Sequence, residues 1–188
     1  MKSLKIPLSL ALLLACGCVL PVSAADLKAG EQKSENCVGC HGAKGQSSNP
    51  QVPKLAAQQS AYRANQLAAF KAGERKSGPM QAMAGNLTED DMSNLAGYFA
   101  GLSAVKAGGD ASLAKAGQAK AAMCLGCHGS AGEGRGQFPR LAGQQPDYLV
   151  AQLKNFKAGA RKGGPMQGVA GSLSEEDMKA IAAYLAGL

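Results

Sequence analysis

Cys37-Val38-Gly39-Cys40-His41 and Cys124-Leu125-Gly126-Cys127-His128 decide the reading of this chain. Each is a C-x-x-C-H run, the attachment pattern of a c-type haem. Two cysteines three residues apart on a helical turn can form thioethers to the two vinyl groups of one porphyrin. The histidine that follows then lies under the iron as its proximal ligand. The two runs hold both histidines of the protein and four of its six cysteines; the others are Cys16 and Cys18. A zinc site made from the same cysteines would not need a histidine directly behind each pair. A thioredoxin-like redox pair would sit in a βαβ pattern, which this sequence lacks. The runs therefore assign Cys37, Cys40, Cys124 and Cys127 to covalent attachment and His41 and His128 to the iron, with two covalently bound haem c groups as the cofactors.

The N-terminus agrees. Lys2 and Lys5 precede an apolar stretch from Ile6 to Leu20, and Val22-Ser23-Ala24 fits the small-residue cleavage rule. Residues 1–24 read as a secretory signal peptide, with Ala25 the first mature residue. The apolar stretch is short for a membrane span and runs into Pro21. Leu13-Leu14-Ala15-Cys16 matches a lipoprotein signal only loosely, because Leu14 is neither small nor β-branched. Lipid anchoring is the weaker reading, and Cys16 and Cys18 leave with the leader. The expected compartment is the periplasm, since c-type haem is attached outside the bacterial cytoplasm.

The mature chain is internally duplicated. Residues 53–102 and 139–188 align at a constant offset of 86 with 29 of 50 positions identical. Pro53-Lys-Leu-Ala-Ala-Gln-Gln answers Pro139-Arg-Leu-Ala-Gly-Gln-Gln, Phe70-Lys-Ala-Gly answers Phe156-Lys-Ala-Gly, and Gly78-Pro-Met-Gln answers Gly164-Pro-Met-Gln. The C-x-x-C-H runs are offset by 87, so the two halves differ by one residue between histidine and proline. Two domains follow, 25–102 and 113–188, joined by an Ala-, Gly- and Ser-rich linker at 103–112.

Each half reads as helical, and no segment shows sustained strand alternation. Short helices are predicted over Lys28–Asn36 and Lys115–Met123. A second is predicted over Ala61–Ala72, capped by Ser60 and stopped by Gly73, with a counterpart from near Pro146 to Gly159. The closing helix carries the clearest signal. Thr88 with Asp91, and Ser174 with Asp177, form capping boxes. Met92, Leu95, Ala96 and Phe99 then follow a helical apolar stripe, as do Met178, Ile181, Ala182 and Leu185.

These motifs, with a Pro-x-Leu-Ala-x-Gln run after each, a methionine late in each half and a closing helix bearing Tyr98 or Tyr184, resemble the dihaem cytochrome c4 family of class I c-type cytochromes. The resemblance spans the whole mature chain. It implies an all-α fold of two tandem class I cytochrome c domains facing each other across a pseudo-twofold axis, with haem propionates near the interface. It also implies that Gly30 and Gly117 mark a close crossing of first and last helices, and that the carbonyls of Pro53 and Pro139 hold the second ring nitrogen of each ligand histidine.

No spare histidine exists, so bis-histidine ligation is excluded and methionine is the natural candidate for the sixth iron ligand. The repeat arbitrates among the candidates. Met83 aligns with Val169, which cannot bind iron. Met92 and Met178 lie on the apolar stripe of the closing helix, where core packing explains them. Met80 and Met166 align in a Gly-Pro-Met loop outside any regular helix, and are the expected ligands. Met83 remains a substitute in the first half. Arg75, Lys76, Arg161 and Lys162 recur before these loops, either as propionate partners or as solvated charges.

The chain carries +7, of which Lys2 and Lys5 belong to the leader, leaving 18 − 13 = +5. Cut at Ser103, the first half is +1 (8 − 7) and the second +4 (10 − 6). Four propionates bring the reduced holoprotein near +1. No basic run or aromatic platform points to nucleic acid. Lys154, Lys157, Arg161 and Lys162 offer a modest steering charge for an acidic redox partner. Histidine–methionine ligation fills both axial positions, leaving none open to oxygen or peroxide, and raises the potential. The expectation is an electron carrier and not an enzyme. The resemblance implies a monomer, at most peripherally associated with the membrane, that takes electrons from a quinol:cytochrome c oxidoreductase and delivers them to a terminal oxidase. Two rivals stand: the electron-accepting subunit of a flavocytochrome dehydrogenase, and a dihaem peroxidase. The second is disfavoured by the near-identical methionine segments and the short chain.

Overall fold

The computed structural model of the protein describes residues 24–188; the leader expectation, with Lys2, Lys5, Cys16 and Cys18, falls outside the described residues. The described chain is helical, and its only β element is an isolated bridge between Arg135 and Phe138. The first half contains α1 (Leu27–Ser34), a 3-10 turn (Glu35–Cys37), α2 (Val38–His41), α3 (Ser60–Lys71), α4 (Gly78–Gly85) and α5 (Glu89–Ala100). The second contains α6 (Ala111–His128), α7 (Pro146–Lys157), α8 (Pro165–Gly171) and α9 (Glu175–Gly187). The packing repeats with the sequence. α1 crosses α5 as α6 crosses α9, α3 lies on α5 and α4, and α7 lies on α9 and α8.

Helix starts follow local chemistry. Asp26 accepts from the backbone N–H groups of Lys28 and Ala29, and Asp110 from that of Leu113, tying down donors that the first turn leaves unpaired. Thr88–Asp91 and Ser174–Asp177 form the two expected capping boxes. α6 runs past Lys115–Met123 at both ends, so the second half has one continuous helix where the first breaks into α1, a 3-10 turn and α2. Ser60 is not a cap. It is the first residue of α3, and Gln59 takes the N-cap position without a capping hydrogen bond. The Gln59 side chain is drawn instead to the Glu133 carbonyl, 3.0 Å away in the other half.

The crossings of α1 on α5 and α6 on α9 are backbone-close. A Cβ on Gly30 would land on the Asn94 carbonyl and 2.9 Å from Tyr98 Cβ; one on Gly117 would land on the Ala180 carbonyl and 2.9 Å from Ile181 N. Behind them lie the cores: Phe70, Met92, Leu95, Ala96 and Phe99 in the first half, and Ala121, Leu149, Met178, Ile181 and Leu185 in the second. Met92 and Met178 are thus packing residues. Cys124 and Leu125 pack against the second core, which sets the attachment motif directly on apolar surface.

After each Pro-x-Leu-Ala run the chain adopts a left-handed residue whose N–H bonds to the end of the closing helix. Gly143 (φ 73°) donates to Leu185 O and Ala57 (φ 57°) to Phe99 O, both at 2.9 Å. An alanine is strained there. Ala57→Gly is therefore expected to stabilise the holoprotein by about 0.5–1 kcal/mol in urea unfolding, although glycine also loosens the unfolded chain. An Ala57→Gly protein less stable than its parent would contradict this.

Candidate functional site

Each C-x-x-C-H run lies on helical backbone, so the two sulfurs and the imidazole share one face. Cys37 closes the 3-10 turn and Cys40 and His41 lie in α2; Cys124, Cys127 and His128 occupy the last turns of α6. Cys37 and Cys124 are half-buried, Cys40 and Cys127 exposed. Burial pushes the Cys37 and Cys124 thiols above their ordinary pKa.

The histidines are buried, at 7 % and 5 % exposure. His41 Nδ1 stands 2.8 Å from Pro53 O, and His128 Nδ1 2.8 Å from Pro139 O. A carbonyl only accepts, so Nδ1 carries the proton in both rings and Nε2 keeps its lone pair for a metal. Burial lowers both histidine pKa values, against the raising effect of the proline carbonyl; at His41 the Arg63 charge lowers it further. Both rings are neutral at pH 7, the state that can ligate.

Met80 and Met166 do not lie in loops. They belong to the first turns of α4 and α8, where Pro79 and Pro165 occupy opening positions. Proline's fixed φ suits a helix start, and its missing N–H is no loss there. The Gly-Pro-Met signature is thus a helix-start signal rather than a loop signal. Both methionine side chains are half-buried, whereas Met83, one turn on in α4, is 44 % exposed.

The residues fit a porphyrin. Each histidine spends only Nδ1 on the proline carbonyl, and Phe138, edge-on to His128 at 6.1 Å, is still 38 % exposed. A cleft beside Cys40 is lined by Val38, Gly39, Gly42, Ser48, Asn49 and Val52. Most telling is Arg63. It is 7 % exposed, donates to Leu55 O and lies 4.9 Å over the Phe99 ring, yet its Nε–H has no partner. Burial pushes its pKa down to about 10, which leaves it a cation at neutral pH. A buried cation with a spare donor suits an acidic group such as a propionate.

The two sites are joined by a reciprocal seam. Gln58 Oε1 accepts from Arg140 N at 2.7 Å while its Nε2 donates to Arg140 O at 3.0 Å. Gln144 does the same to Lys54, at 2.8 and 3.0 Å. The glutamine of each Pro-x-Leu-Ala-x-Gln run thus pairs with the second residue of the other run, as one peptide group pairs with another. Farther along, Arg75 donates to Gln66, Tyr148 and Gln152, and Arg161 to Gln152, Tyr62 and Gln66, all within 2.9 Å. Each guanidinium stacks on its own half's Phe70 or Phe156, at 4.6 and 4.5 Å. Arg75 and Arg161 are therefore neither solvated nor steering charges; they bolt the halves together. Lys76 and Lys162 are exposed. Lys154 pairs with Glu175 at 2.9 Å, and Lys157 donates to Leu173 O. Sequence reasoning missed this seam, though its signal was present: glutamines, tyrosines and arginines identical at the 86-residue offset.

The family model described as Cytochrome c matches residues 27–103 and again 114–188. The chain is 36 % identical to a cytochrome c4 of Pseudomonas aeruginosa, over 96 % of this chain and 98 % of that protein. It is also 33 % identical to a thiosulfate dehydrogenase electron acceptor of Stutzerimonas stutzeri, over 81 % and 78 %. Among solved structures, reduced recombinant cytochrome c4 from Pseudomonas stutzeri superposes with a TM-score of 0.84 at 34 % identity, covering 88 % of this chain and all of that one.

Proposed function

The chain belongs to the cytochrome c family, in its dihaem cytochrome c4 branch, and on that premise we propose that it works in the periplasm, carrying electrons from a quinol-oxidising complex to a terminal haem–copper oxidase. It is an electron-transfer protein with two covalently bound haem c groups and not an enzyme. When bound, each haem supplies a one-electron iron couple. The residues do the rest. Cys37 with Cys40, and Cys124 with Cys127, anchor the groups. His41 and His128 present Nε2, oriented by Pro53 and Pro139. Met80 and Met166 would supply the thioether ligands, a ligand type that favours the ferrous state. The carrying observation is the reciprocal seam, which ties two like sites together through matched hydrogen bonds from each half. Residues 25–102 and 113–188 serve as the two haem domains, and 1–24 as the cleaved export signal.

A second reading has a relative behind it: that the chain accepts electrons from a dehydrogenase, as the name of the Stutzerimonas stutzeri protein says of that protein. A flavocytochrome partner would be one form of it. Copurification with a dehydrogenase from native periplasm would replace the oxidase reading.

The test uses the reduced holoprotein. With both irons six-coordinate it is expected to bind carbon monoxide poorly and to turn over peroxide negligibly, while membranes containing a haem–copper oxidase oxidise it rapidly. That rate should fall by no more than about threefold between low and physiological ionic strength, because propionates offset most of the chain's positive charge. Stoichiometric carbon monoxide uptake at neutral pH would overturn the carrier assignment.

A further inference from the structure

The two halves match in cysteines, histidines, prolines and methionines, and in the seam that joins them, but they differ inside the core. Position 63 is an arginine; its counterpart 86 residues on is Leu149. Leu149 is 7 % exposed and packs with Ala121, Met178 and Ile181, an ordinary apolar residue. Arg63 is equally buried, on the same helix of the other half. It reaches Leu55 O, two residues beyond the proline whose carbonyl holds His41, and lies over Phe99 of α5. Its Nε–H is unpartnered, and among the described residues no carboxylate neutralises it. Burying such a charge is unfavourable unless something gains from it.

We propose that Arg63 is a tuning residue that makes the two haem sites unequal, holding the iron at Cys37–Cys40 more firmly in the ferrous state than a leucine at that place would allow. The inference rests on the dihaem electron-transfer reading. Its physical basis is charge. Oxidation adds one positive charge to the iron, and a fixed cation nearby opposes that step in a low-dielectric interior. The charge stands at the first site alone: Arg63 bonds two residues beyond the proline that holds His41, while the matching place in the second half is the apolar Leu149. A propionate drawn to the spare Nε–H would temper the effect without abolishing the asymmetry, because Leu149 offers neither charge nor donor.

Arg63→Leu installs the residue the second half already tolerates, and Arg63→Lys keeps the charge while changing the shape. Both are made in the full chain and loaded with two haems, confirmed by mass. Each is then titrated potentiometrically while its visible spectrum is followed. In Arg63→Leu one of the two potentials is expected to fall by about tenfold in ferrous-to-ferric ratio, 59 mV for a one-electron couple. The other is expected to move by less than about twofold, and Arg63→Lys to keep both within about twofold of the parent. Two unmoved potentials in Arg63→Leu, equal shifts of both, or a lysine variant that behaves like leucine would overturn the inference. A protein that takes up no haem would instead overturn the functional reading beneath it.

Discussion

Gly117→Val is expected to unfold the second half while leaving the first able to keep its haem. The added side chain would have to occupy the Ala180 carbonyl and crowd Ile181 N, and both belong to the backbone of α9. Backbone cannot step aside as a flexible side chain can. α6 must then move off α9, and that contact buries Ala121, Met178, Ile181 and Leu185 and positions Cys124. Overpacking of a well-filled core commonly destabilises by about 1–3 kcal/mol, and a clash with backbone belongs at or beyond the upper end. In urea the circular dichroism of the variant should show an early transition for about half the helical signal. Haem counting by mass should find protein with a single group attached. Gly187→Ala is the control, since a Cβ there meets nothing within 4 Å. A Gly117→Val protein with the parent's unfolding midpoint and two haems would show that the crossing is not as tight as it stands here.

Met166→Ala is expected to strip one haem of its methionine–iron absorbance in the far red and to lower that haem's potential. The expected fall is at least about tenfold in ferrous-to-ferric ratio, or 59 mV. Met80→Ala should do the same to the other haem. The reasoning joins the repeat to the helix starts. The two methionines occupy matched first turns behind Pro79 and Pro165, half-buried, while Met92 and Met178 are consumed by the cores. Met83 is the competitor in the first half, one turn farther along α4 and more exposed. If Met83→Ala removed the band and Met80→Ala left it intact, the ligand assignment in the first half would pass to Met83.

The closing helices and the duplication are legible because each rests on local or repeated chemistry, whereas the crossing glycines are implied only by the family resemblance. A capping box needs only four consecutive residues, and an apolar stripe needs only helical spacing. Two boundaries were not. Ser60 looked like a cap, but Gln59 had been diverted to the other half, a competition that spacing alone does not display. The Gly-Pro-Met segments looked like loops because glycine and proline commonly break helices; here the proline stands where a helix begins.

By itself the sequence determined the cofactor chemistry, the number of sites, the helical class and the repeat, since C-x-x-C-H motifs and an 86-residue offset are covalent facts of the chain. Only the tertiary structure decided what the recurring polar residues are for. Arg75 and Arg161 look like surface charges until the fold brings Tyr148, Gln152, Tyr62 and Gln66 to them from the opposite half. Arg63 looks like one more cation on a helix until α3 settles on α5 and takes it out of water. A side chain's charge is written in the sequence. Whether that charge meets solvent, an aromatic face or a hydrogen-bond partner depends on which distant segment packs against it.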